Sequence, residues 1–231
     1  MVEQIEAGTA LSDVTLDRVD VSRLAARDLP VRVVRCDLEN ADLSGLNLTQ
    51  WSFEGCNVQG AGLNGSVLER SVWASCRGAG ANLTGADLTE AAFRFSDFND
   101  ADFRGAKLSG ASFVGCKLTG TNFAEVRWLG ATFRETLLVY ARLAGLSFRG
   151  AHLEGVDFSQ ADIRDCDFRD AVFENGSLRE ASLKGARFQG ADLRGADLGG
   201  LRLADAALIQ GATISRSQAA ELLGDLGVHV R

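Results

Sequence analysis

The chain has 231 residues, with 24 Lys and Arg against 31 Asp and Glu and a net charge of −7, long enough for one domain or two small ones with a substantial core. That balance argues against a protein that grips nucleic acid or an anionic membrane, since both need a basic face, and no apolar run approaches the roughly 18 residues of a spanning helix. Two His, one Tyr and five Cys without CxxC spacing leave little for catalysis, and they fit neither a disulfide scaffold nor a zinc ribbon.

The opening stretch MVEQIEAGTA is acidic where a signal peptide is basic and then apolar, which leads to the expectation of a soluble cytosolic protein. Within residues 1–35, Val14/Leu16 and Val19/Val21 repeat a five-residue spacing in a phase of their own. A slip near Pro30 joins that phase to the next, so 1–35 reads as a degenerate N-terminal coil or cap.

From Cys36 to Gln210 the chain divides into 35 consecutive pentads without an insertion: CDLEN, ADLSG, LNLTQ, WSFEG and onward. The central residue is Leu 18 times and Phe 12 times, the residue two before it is Ala 18 times, and the last slot is Gly 18 times. All five Cys (36, 56, 76, 116 and 166) fall in the Ala slot. Five matches neither the 3.6 period of a helix nor the 2 of a long strand. The pattern reads as a very short extended piece, small and large residues inward and one residue outward between them, closed by a corner that often needs φ > 0. Such pieces satisfy their backbone groups only by stacking coil on coil.

After Gln210 the repeat stops. Ser215 to Gln218 is a candidate capping box, Ala219, Leu222, Leu223 and Leu226 follow helical spacing, and Gly227 can end the helix. Residues 211–231 therefore read as a C-terminal helix and tail. That apolar face has two readings, a plain cap over the open end of the coil or a dimer contact through Ala219, Leu222, Leu223 and Leu226.

The pentads ANLTG at Ala81, ADLTE at Ala86 and ADLRG at Ala191 resemble those of the pentapeptide-repeat family. The resemblance covers about 36–210. It implies an all-β fold, a right-handed quadrilateral β-helix of roughly nine coils with four pentads to the coil. At about 4.8 Å per coil, the rod would be roughly 40–45 Å long. In that register Phe53, Trp73, Phe93 and Phe113 form an aromatic ladder, and Cys36, Cys56 and Cys76 share a column. A thiol ladder for metal or redox work is the sharper reading of that column. Small residues filling Ala-sized slots is the plainer one, and parallel Cβ vectors suit a disulfide poorly.

Catalysis has few means here. His152 is an outward position and His229 lies in the tail, while Asp162, Asp165, Asp167 and Asp170 alternate with Arg164 and Arg169 as a salt-bridged face would. The protein is expected not to be an enzyme, with no metal and no cofactor. Binding through the outer surface remains. Aspartates in the outward slot fall into columns: Asp37, Asp97, Asp157 and Asp197 on one side, and Asp42, Asp102 and Asp162 on its neighbour.

A stiff rod with ordered carboxylates presents an outline that attracts a basic groove. The resemblance implies more: known bacterial members mimic DNA, bind DNA gyrase or topoisomerase IV, and protect against quinolones. It points to loopless rods, because no loop interrupts Cys36 to Gln210. Some members dimerise through C-terminal helices. The expectation is a DNA-mimicking partner of a type II topoisomerase with no direct contact to nucleic acid or membrane, and a homodimer as one reading of the tail. The alternative is an interaction scaffold for an unrelated protein, using the outward apolar residues Leu129, Leu137, Val139 and Tyr140, with Phe95 separate.

Overall fold

One local conformation, repeated, turns the five-residue period into structure. In a typical pentad Ala61 and Leu63 are fully buried, and Gly62 between them faces outward. The Leu38 carbonyl then accepts the Ala41 N–H at 3.0 Å, closing a turn. The last residue of the pentad is left-handed. Gly45 and Gly60 have φ of +67° and +63°, but Asn40, Glu90 and even Tyr140 sit at +55°, +58° and +57° in the same slot. The corner is thus a property of the repeat, and glycine is only its least strained occupant.

Stacking supplies the remaining backbone bonds. The Leu38 N–H donates to the Asn57 carbonyl at 2.7 Å, and the Asn57 N–H donates back to Cys36 at 3.0 Å. The same parallel pairing, twenty residues apart, occurs on four sides: Asp37 with Asn57, Asp42 with Gly62, Asn47 with Val67, and Ser52 with Val72. The fold is a parallel β-solenoid of about nine turns with two helices. The computed structural model describes residues 10–26, 29–224 and 227–228. It divides into two compact units, Met1–Thr132 and Phe133–Arg231.

In the first unit, β1 (Ala10–Ser12), β2 (Arg32–Val34), β3 (Ser52–Glu54), β4 (Val72–Ala74), β5 (Ala92–Arg94) and β6 (Ser112–Val114) pair in parallel along one side. Behind them Phe53, Trp73, Phe93 and Phe113 stack with centroids 4.1, 5.9 and 4.8 Å apart, the aromatic ladder read in the sequence. The first turn contains a helix as well as ladder pairs. After Thr15 pairs with Asp37, the chain winds into α1 (Arg18–Ala25), with the Asp17 carboxylate accepting the Asp20 N–H at 2.9 Å as N-cap. Val21 and Leu24, fully buried, lie three apart on the inner face of that helix, which stands in for two sides of the turn. The β1–β2 register of 22 residues is the phase slip seen in the sequence.

β7 (Thr132–Arg134) falls at the division between the units. In the second unit β8 (His152–Glu154) pairs with β9 (Val172–Glu174), and β10 (Gly176–Ser177) with β11 (Ala196–Asp197). Phe148, Phe168 and Phe188 stack at 4.9 and 5.1 Å in the core. Although pentads can be counted to Gln210, residues Leu203–Ile209 form a 3-10 helix. Their pentads, LRLAD and AALIQ, lack a corner glycine, and the ladder resumes one residue late, with Asp192 against Thr213.

The tail then forms α2 (Arg216–Gly224). Its capping box is reciprocal, with the Gln218 N–H on Ser215 Oγ at 3.2 Å and the Ser215 N–H on Gln218 Oε1 at 2.6 Å. The buried Gln218 amide also donates to the Leu193 and Ala196 carbonyls at 2.8 and 2.7 Å. α2 thereby takes the Ala196 carbonyl, which a further coil would have taken, while the Leu193 carbonyl also accepts the Ala196 N–H at 2.9 Å within its own turn. Beyond it, Gly227 at φ +72° donates to Gly224, and Val228 donates to Leu223, the bond pair of a Schellman ending. Leu226 and His229 lie outside the described residues. No helix among the described residues is long and apolar enough to cross a membrane.

Candidate functional site

Each outward aspartate in the two columns is used by its own backbone. Asp37 Oδ1 accepts the Glu39 N–H at 3.1 Å, Asp42 that of Ser44 at 3.0 Å, Asp97 that of Asn99 at 3.1 Å and Asp102 that of Arg104 at 3.0 Å. Asp157, Asp162 and Asp197 do the same for Ser159, Arg164 and Gly199. These are Asx turns: a carboxylate accepts the N–H two residues on and fixes the start of the corner. The carboxylates are therefore held in place before any partner arrives.

Their charge is uneven. Arg104 pairs with Asp102 at 2.8 Å, Arg164 grips Asp162 through two nitrogens at 2.7 Å, and Arg179 holds Asp197 through two nitrogens at 2.9 and 3.2 Å. The Arg164 guanidinium holds the Asp162 carboxyl below its ordinary range. Asp37, Asp97 and Asp157 form no ion pair among the described residues. Instead, Asp37 accepts the Asn57 amide at 3.0 Å from the next coil. So in the first unit Asp37 and Asp97, joined in one ladder column through Asn57 and Arg77, keep carboxylates without an ion pair among the described residues, as Asp157 does in the second, whereas Asp102 in the first unit and Asp162 in the second are largely neutralised. Exposed pairs of this kind add about 0–1 kcal/mol to stability. Their greater effect is on the field at the surface.

The most constrained carboxylate belongs to the alternating Asp and Arg face and not to the columns of candidate site residues. Asp167, 7% exposed, accepts from Arg169 at 2.8 and 2.7 Å and from Arg187 at 2.9 Å. The Arg169 hydrogen bonds bring its pKa down to about 2. The signal was present as Asp-x-Arg, since residues on either side of a pentad centre emerge on one face.

The thiol column occupies the small inward slots. All five cysteines are free and buried, and Cys56 donates to the Val33 carbonyl at 3.3 Å. Burial pushes Cys116 up to about 11 and Cys166 to about 12, far from the thiolate a redox site needs. In the Cys56–Cys76 pair the hydrogen bond between the two sulfurs lowers Cys56 to about 7 and, with burial, pushes Cys76 up.

On the C-terminal helix Leu222 is buried in its own unit. Ala219 and Leu223, only half-buried, line an apolar groove of about 380 Å³ with Leu203, Ile209 and Ile214. In the second unit Leu137 and Tyr140 are exposed, at 40% and 59%, and in the first Phe95 and Leu129 are exposed too.

A β-solenoid of five-residue units, fastening outward aspartates into its turns, is the class of protein that this geometry defines. The sequence pattern of the family described as pentapeptide repeats matches in 8 copies, over residues 34–70, 63–94, 74–113, 86–123, 129–165 and 161–200. The chain belongs to the pentapeptide-repeat family. No curated protein matches its sequence. Among solved structures it is similar to QnrB1, a plasmid-mediated fluoroquinolone resistance protein. The trypsin-treated form of a QnrB1 variant matches with 24% identity and a TM-score of 0.68, over 96% of this chain and 98% of that one. Full-length QnrB1 matches with 21% identity and a TM-score of 0.65, over 96% and 100%. At these identities the likeness is one of fold.

Proposed function

We propose that the protein is a DNA mimic that binds a bacterial type II topoisomerase, DNA gyrase or topoisomerase IV, and modulates it or protects it from poisons such as quinolones. One observation carries the reading: the carboxylates of Asp37 and Asp97 are fixed by Asx turns, carry no ion pair among the described residues and stand in one ladder column. Three coils separate them, about 14 Å at about 4.8 Å per coil, close to the rise of four base pairs at about 3.4 Å each. Pre-fixed charges lose little freedom on binding. The fluoroquinolone resistance attached to QnrB1, whose fold this chain shares, agrees with the reading. The paired aspartates Asp102, Asp162 and Asp197 contribute less than Asp37, Asp97 and Asp157, and Asp42 adds to the neighbouring side. Ala219 and Leu223, with Leu222 beneath them and Leu226 beyond, are proposed as a homodimer contact.

The test is gyrase supercoiling and drug-stabilised cleavage with the protein titrated in at several salt concentrations. Inhibition or rescue that weakens with salt, and with Asp37→Asn plus Asp97→Asn, is expected. Inertness at micromolar protein refutes the proposal. The second reading, a scaffold for an unrelated partner, is favoured by the exposure of Leu137 and Tyr140. It predicts salt-insensitive binding that Leu137→Ser plus Tyr140→Ser abolishes.

A further inference from the structure

Charge in the second unit is nearly balanced along the chain but not around it. Its coils pair on four successive sides, through Asp157, Asp162, Asp167 and Val172. Over residues 133–200, with each corner counted in the pentad it closes, the sides of Asp162 and Asp167 carry Arg142, Arg149, Arg164, Arg169, Lys184 and Arg187 against four aspartates. The other two sides carry three arginines against seven carboxylates. The ion pairs repeat this polarity. On the basic sides one carboxylate serves two cations: Arg169 and Arg187 meet Asp167 at 2.7 and 2.9 Å, and Arg164 meets Asp162 at 2.7 Å while Arg142 adds its charge to the same group. On the side of Val172 one cation serves two carboxylates, as Arg134 meets Glu154 at 2.9 Å and Glu135 at 3.5 Å.

Two short ladders of charge stand on opposite sides of the unit. Arg164 and Lys184, both exposed, fill the slot after the centre in successive coils of one side. Glu154 and Glu174 fill the same slot on the opposite side, where β8 and β9 pair them directly. Like charges one rung apart, at about 4.8 Å, oppose each other within each ladder. Both ladders are ruled by one repeat, so opposite charges that match at one coil match at the next.

We propose that the basic side of Asp162 docks on the acidic side of Val172 in a second copy of the chain, solenoid beside solenoid, with Arg164 and Lys184 against Glu154 and Glu174. With the two copies level, the ladders are offset by half a coil, so each cation lies about 2.4 Å in height from the nearest carboxylate. The contact relieves the repulsion in both ladders at once. A polyanion fits less well, because Asp162 and Asp165 lie among the cations, whereas the acidic side of a copy brings Arg134 and Arg194 to meet them. The two sides are opposite faces of one unit, so the contact is heterologous and copies add in rows rather than closing as a pair. It rests on the charge pattern of the second unit, not on the topoisomerase reading, and it is distinct from the contact proposed for α2.

The experiment is sedimentation equilibrium of the full chain over a range of concentrations, in about 20 and about 300 mM salt. Association is expected at the lower salt and should weaken at least about tenfold at the higher. Arg164→Glu plus Lys184→Glu should abolish it, and so should Glu154→Lys plus Glu174→Lys. Mixing the two variants should restore it, since the reversed ladders complement each other while both proteins stay net negative. No salt-sensitive association, or a mixture no more associated than either variant alone, overturns the proposal. So does association that the higher salt leaves unchanged, which would belong to the apolar face of α2. Should a reversed variant fail to fold, Arg164→Gln plus Lys184→Gln removes the charge alone, and unchanged association then refutes docking through this ladder.

Discussion

Gly78 offers a sharp separation of repeat statistics from packing. It is the only pentad centre without a side chain, so consensus reasoning recommends Gly78→Leu as stabilising. The packing says otherwise. A Cβ at Gly78 would lie 2.3 Å from Phe98 Cε1 and 2.6 Å from its Cδ1, because the fully buried Phe98 ring occupies the room that a leucine would need. That ring also meets Trp73 and Phe93 edge-on at 5.9 and 5.1 Å. Overpacking costs about 1–3 kcal/mol, and each disturbed edge-to-face contact adds about 0.5–1.5 kcal/mol. With part of this offset by the new buried leucine, Gly78→Leu should destabilise by about 2 kcal/mol. For a chain of this size that lowers the melting midpoint by roughly 4–8 °C. Calorimetry and urea denaturation of Gly78→Leu, Phe98→Leu and the double variant complete the cycle. The double variant, with two leucines in the column, should be more stable than the sum of the singles by about 1–3 kcal/mol. A Gly78→Leu protein as stable as the parent, or strict additivity, would refute the argument.

Asp167→Asn should cost about 1–3 kcal/mol at neutral pH by leaving Arg169 and Arg187 without their buried carboxylate. The folded pKa of about 2 lies below the unfolded value of about 3.9, so the wild-type contribution is complete above pH 4 and is lost as the pH falls toward 2. The variant's stability curve should be flatter over that interval, as urea midpoints across pH would show. Ser215→Ala together with Gln218→Ala removes the capping box of α2 and two bonds to the last turn. A loss of about 1–3 kcal/mol, read as faster proteolysis after Arg216, is expected, and unchanged cleavage would count against the capping role. Phe95, 67% exposed at φ +50°, should tolerate replacement by Gly with a gain of up to about 1 kcal/mol. A fall in melting temperature would show that its contact over Gly115 outweighs the backbone strain.

Pentad phase, inward stacking and the C-terminal capping box were legible because each depends on residues at fixed spacing in one sequence. The helix at Arg18–Ala25 was not, since Val19 and Val21 imitate the pentad spacing. The overlooked evidence was Asp17 as a cap with Val21 and Leu24 three apart. The 3-10 segment was hidden for a related reason, as Leu203 and Leu208 keep the pentad phase while the corners it needs are gone. In the candidate site the columns could be read, but their charge could not be taken at face value. Arg104, Arg164 and Arg179 come back across the surface to their aspartates, and two of these three pairings were visible as Asp-x-Arg.

The Asx turns separate charge from architecture. An outward Asp or Asn closes the corner in the same way, as Asp42 and Asn82 show with bonds of 3.0 Å each to the residue two further on. Exchanging one for the other changes a unit of charge while the backbone keeps its bond. The outer face behaves like movable type in a fixed frame: a lineage can rewrite its electrostatic message one coil at a time, and partner choice can drift while the solenoid beneath it stays the same.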